Sequence, residues 1–182
     1  MRLSRNLSCF SALLTLGGAV AAASVQAAPE ATPFPISTLK KLIAGANLNP
    51  ILKVADLPPA VRVSFRERMP IYDLNTPQGQ QPRVIGYRDV DMADPGQPWV
   101  SGCIIDSTKP LPRQQLQFAG VVNGRCFVVY DTGGFAHMQH IALFRLDGDK
   151  AISLGSMISR FEDKDLAALR RDIAKKEFAV RL

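Results

Sequence analysis

The chain has 182 residues, 47% of them hydrophobic and 21% charged, with 13 Gly and 13 Pro. That balance excludes collagen-like, mucin-like and broadly disordered classes, and the length suits one domain. A net charge of +6 is spread along the chain without a dense Arg/Lys stripe, so nucleic acid is not an expected partner.

Residues 1–27 have the three parts of a secretory signal peptide. Arg2 and Arg5 form a positive start, Phe10 to Ala23 is an uncharged apolar run, and Val25-Gln26-Ala27 offers a small-residue cleavage site. The apolar run falls short of the ~20 residues a membrane span needs, so cleavage after Ala27 is expected, with no stable membrane insertion afterwards. Removing this segment leaves 155 residues, and losing its two arginines lowers the net charge from +6 to +4. The expected location is periplasmic or secreted. Two cysteines then remain, Cys103 and Cys126, and an even pair in an oxidising compartment predicts a disulfide between them.

Residues 28–35, with Pro29, Pro33 and Pro35, read as an extended lead-in, and 36–182 as a single α+β domain. Ser37 is placed to cap a short helix over 37–45, with Leu39, Leu42 and Ile43 on one face. After an irregular Pro-punctuated stretch, Val61, Val63 and Phe65 alternate with Arg62, Ser64 and Arg66, which predicts a half-buried strand. Further strands are expected at Ile71 to Leu74, Val84 to Tyr87 and Trp99 to Ile105, separated by Pro/Gly-rich turns.

The strongest local signal is Asn123-Gly124 between two apolar runs, the sequence of a two-residue type I′ hairpin. It pairs Val121 with Cys126 and Phe118 with Val129. Phe118, Gly120, Phe127 and Val129 then share one face and Val121, Cys126, Val128 and Tyr130 the other, so the ribbon is expected to be covered on both sides. Strands from about Met138 to Leu146 and Ala151 to Met157 complete an antiparallel meander over 115–157. That order leaves no room for Cys103 on a strand beside 125–132, so its disulfide would have to cross a sheet face or the turn end. Ser159 with Glu162 matches a capping box for a C-terminal amphipathic helix striped by Leu166, Leu169 and Ile173.

Few residues suggest chemistry. Asp131-Thr132-Gly133 after four apolar residues is similar to the active-site signature of aspartic proteases. It departs from that pattern at Gly134, where the family has Ala or Ser, and only 51 residues follow Asp131. A strand ending in a Gly-rich turn is the reading taken. His137 and His140, the two histidines, lie near Asp131, but their spacing puts them on opposite sides of a strand. No metal site and no cofactor are expected. Asp89 to Gly96 fails the spacing of a calcium loop, and no nucleophile elbow or dinucleotide Gly pattern occurs. Trp99 beside a Pro-Gly loop is the candidate binding residue.

The expected function is therefore that of an exported protein acting by contact with a protein partner, as an inhibitor, immunity-type or accessory protein does. The alternative is a small secreted hydrolase or metal-dependent enzyme using Asp131, His137 and His140 around Gly133-Gly134.

Overall fold

The computed structural model describes residues 34–44, 47–73, 75, 83–102, 111–159 and 162–175. The signal segment 1–27, the lead-in up to Pro33, and Cys103 lie outside the described residues. The elements are α1 (Ile36–Ile43), α2 (Pro59–Ser64), β1 (Glu67–Tyr72), β2 (Val84–Val90), β3 (Gln114–Val122), β4 (Arg125–Thr132), β5 (Met138–Asp147), β6 (Lys150–Ser159) and α3 (Leu166–Ala174). A 3-10 turn at Val54–Asp56 precedes α2.

The protein is an α+β fold. Strands β3-β4-β5-β6 form a four-stranded antiparallel meander, and β1-β2 form a separate antiparallel ribbon. The meander turns where glycine chemistry says it must. Asn123 and Gly124 both have positive φ (48° and 68°), as a type I′ turn demands, and Val121 faces Cys126 with Phe118 opposite Val129.

Both faces of this sheet are covered. On one, Phe118, Phe127, Val129, Ile141, Leu143 and Met157 pack beneath α1 and α3, which contribute Leu39, Leu42, Ile43, Leu169 and Ile173. On the other, Ala119, Cys126, Val128, Tyr130, Ala142 and Phe144 meet Val54, Leu57, Val61 and Phe65 from the turn–α2 segment. Arg170 Nε donates to the Ile43 carbonyl at 3.0 Å and ties α3 to α1. The β3 edge is closed by single bridges, Ile51 to Ala119 and Ala93 to Gln115.

One irregularity matters below. Leu116 faces Tyr130 and Phe118 faces Val129, so Gln117 is an extra, bulged residue. Leu116 stays in the α2-side core and Phe118 in the helix-side core.

Four local expectations need correction. The alternating segment 61–66 is not a strand: Pro59 starts α2 at a position where its missing N–H costs nothing, and the buried residues, Val61 and Phe65, are four apart while Val63 is 55% exposed. Helix α1 begins after Pro35 with no side-chain cap, so Ser37 lies inside it. Ser159 ends β6 opposite Gln139, and the helix starts later, with Asp165 Oδ1 accepting the Ala168 N–H at 2.7 Å. Residues 99–102 carry no strand, and the remainder of that expected strand lies outside the described residues.

The expected disulfide has one end, Cys103, outside the described residues. Cys126 is a free, buried thiol. Its side chain points into the α2-side core, and burial pushes the thiol pKa up to about 12. An inward-facing position on a central strand packs a cysteine as a small hydrophobe.

Candidate functional site

The site forms where β4 ends and the chain returns into β5. Asp131 is the penultimate residue of β4, paired with Gln139 across the ladder and with Gln115 on its other side. Asp131 is 7% exposed, and its carboxylate accepts two side-chain hydrogen bonds and has an imidazole within ion-pair distance. Gln117 Nε2 donates to Oδ2 at 2.9 Å and Gln139 Nε2 donates to Oδ1 at 3.3 Å, while His137 Nε2 stands 3.0 Å from Oδ2. The bulge at Gln117 supplies one of these donors. A buried charge held by several N–H groups is fixed in orientation, and the histidine it binds is fixed with it.

His137 sits in the loop between β4 and β5 with 44% of its side chain exposed. The Trp99 ring meets its imidazole edge-on, centroids 5.4 Å apart. Trp99 reaches this place because its segment runs tightly over the end of β4. Gly133 donates its N–H to Arg113 O at 2.9 Å, and Val100 donates to Pro112 O at 2.9 Å. A Cβ at Gly133 would overlap the Val100 carbonyl oxygen, so glycine is required there by close approach. At the tip of the same loop, Phe135 is fully exposed, and Met138 beyond it is 39% exposed.

His140 belongs to a different environment. It stacks on Tyr130, centroids 5.2 Å apart and planes 20° apart, with Nε2 3.0 Å from Thr132 Oγ1. Tyr130 and Thr132 alternate with Asp131 along β4, so His140 lies on the opposite sheet face from the Asp131 carboxylate. Burial lowers the His140 pKa below its ordinary 6.5, with the Asp131 charge opposing the shift.

Of the sequence candidates, Asp131, His137 and Trp99 are thus brought together and His140 is not. Among the described residues, no group of three or more His, Cys, Asp and Glu side chains could hold a metal ion. The acidic stretch 89–96 is occupied otherwise: Asp94 Oδ1 accepts the Val54 N–H at 2.6 Å, and Asp91 pairs with Arg66 at 2.9 Å. Sequence reasoning missed Gln117, Gln139 and Phe135. Gln139 is a polar residue in an apolar strand and could have been flagged as a buried amide needing partners. Gln117 depends on the bulge, which no local pattern announces.

Chemically, the rim combines an indole edge, an oriented imidazole and an unsupported phenyl ring. Comparison with known proteins finds no matching family model, no matching curated protein and no matching solved structure.

Proposed function

We propose that this is an exported, periplasmic or secreted protein that works by gripping a folded protein partner through the Trp99–Phe135–His137 rim. Phe135 carries the reading: a wholly exposed phenylalanine at the tip of a loop whose base is fixed. Such a ring is costly to leave in water, and aromatic anchors of this kind dominate interface energies when they enter an apolar pocket on a partner. Because Asp131 and its glutamines hold the loop base, little ordering remains to be done on docking.

The test is capture from envelope extract with wild-type protein and with Phe135→Ala. A stoichiometric partner that survives washing on the wild type and is lost from Phe135→Ala is expected. A partner retained equally by both, or none retained by the wild type, removes the proposal.

One observation favours a second reading. The 3.0 Å Asp131–His137 pair orients an imidazole as a general base would be oriented. A hydrolase using it would lose all turnover of ester or peptide substrates in His137→Ala. No turnover by the wild type would dispose of this reading without touching the first.

A further inference from the structure

Among the described residues, β1 and β2 pair only with each other. A two-stranded ribbon is marginal in water unless a further strand or a packed face supports it. One end of this ribbon has such support: Phe65, Met69 and Met92 are buried, and Arg66 pairs with Asp91 at 2.9 Å. Towards the other end the support is missing. Ile85 is 62% exposed and Tyr87 59%, and Val84 and Ile71 are exposed with them.

The two outer edges of the ribbon differ. The Asp73 N–H donates to Arg83 O at 2.8 Å, which sets the alternation of the ladder along β1. Ile71, Met69 and Glu67 then turn their main-chain groups towards β2, and Pro70 and Arg68 turn theirs away. Pro70 suits that place, because it has no N–H to give to a neighbour on the outside, and β1 is blunted as an edge. Across the ladder, Pro70 faces Tyr87 and Arg68 faces Asp89. The N–H and C=O groups of Tyr87 and Asp89 therefore point outward from β2, an edge that contains no proline. The Arg68 guanidinium lies 4.8 Å over the Tyr87 ring and holds it on the face of the ribbon, clear of that edge.

This edge is complementary to itself. Arg83 precedes β2, Asp89 lies near the end of the strand, and Asp91 follows it. An antiparallel copy centred on Tyr87 lays the basic start of each strand along the acidic end of the other, on both sides of a two-fold axis. Arg88 then falls opposite Gly86, and no like charges face each other. Centring the pair on Arg88 or Asp89 would oppose like charges. Gly86 is not demanded by its own chain: its φ is not positive, and an added Cβ would meet only Ile71 Cδ1, at 3.9 Å. In the pair it leaves room for the Arg88 side chain of the other copy.

We propose that two copies of this chain join through β2, antiparallel about Tyr87, into one four-stranded sheet. Pro70 then stands on both outer edges, so addition stops at two copies. The pairing is independent of the Trp99–Phe135–His137 rim and of any partner held there.

Sedimentation velocity of the purified protein is expected to show a dimer. Tyr87→Lys sets two like charges on the axis and leaves the β1 ladder intact, because β1 does not use the main-chain groups of residue 87. It is expected to raise the dimer dissociation constant about tenfold or more. In Tyr87→Cys, mild oxidation is expected to link residue 87 to its twin. A hydrogen-bonded antiparallel pair holds the two Cα atoms about 5.5 Å apart, within disulfide reach. Leu52→Cys, a comparably exposed position off the ribbon, is expected to link far more slowly. A wild-type monomer at every attainable concentration, including one that takes an extended peptide along β2 instead, overturns the proposal. So does a dimer unmoved by Tyr87→Lys, or linkage no faster in Tyr87→Cys than in Leu52→Cys.

Discussion

The Asp131 carboxylate stands 3.0 Å from His137 Nε2 at a position that is itself nearly inaccessible, so the exposed imidazole is set against a buried carboxylate. This coupling makes Asp131 a support for the loop rather than a group that meets a partner. Asp131→Ala is expected to take one of two acceptors from each of the Gln117 and Gln139 amides, leaving Gln115 Oε1 and the Asp163 carbonyl, and to cost about 1–3 kcal/mol of stability in urea denaturation. It should also leave the 133–137 loop less ordered in amide exchange.

Gly133→Ala should destabilise by about 1–3 kcal/mol, because the clash is with the backbone carbonyl of Val100 and no rotamer relieves it. Since the protein contains one tryptophan, its fluorescence reports on this site directly. A red shift in Gly133→Ala would show Trp99 lifting off His137. An unchanged spectrum with unchanged stability would refute the close approach.

Phe135→Ala separates recognition from folding. The ring touches solvent on all sides, so the melting temperature is expected to stay where it is. Partner affinity is expected to fall about tenfold or more. Loss of stability in this variant would mean that the ring packs in the free protein.

His140 gives the stability a pH dependence on the acid side. Its folded pKa is lowered by burial, so its contribution is present above pH 6.5 and is lost as the solution is acidified and the imidazole is forced to take a proton. NMR titration should place its midpoint below 6.5, and His140→Phe should flatten the acid limb of the stability profile. A midpoint above 6.5 would reverse the sign.

Cys126 should be inert to alkylation in the native protein, since only the thiolate attacks and its pKa is pushed up to about 12. Peptide mapping after iodoacetamide treatment should find Cys126 modified only in denaturant. Rapid native labelling would contradict the buried position.

The meander was readable because its signals are local. Asn123-Gly124 sets a turn, the turn sets the pairing, and two apolar faces announce two coverings. Segment 61–66 misled because Val61, Val63 and Phe65 satisfy a period of two and also contain a spacing of four. Pro58-Pro59 was the better guide, since a proline that opens a helix is indifferent to the side chains after it. Asp131, His137 and Trp99 were each visible as residue types, but their meeting depends on a contact between residues 100 and 133, fixed by the tertiary course of the chain. His140 was legible as separate, from strand alternation alone.

The bulge at Gln117 leaves the inward and outward assignment of its neighbours untouched. Excising that one residue would let Leu116 and Phe118 sit side by side in an unbroken ladder, each still in its own core, and the sheet would survive. What would vanish is a side chain aimed at Asp131. The molecule thus carries a spare residue whose removal mends the hydrogen-bond ladder and impairs the anchor beneath the loop.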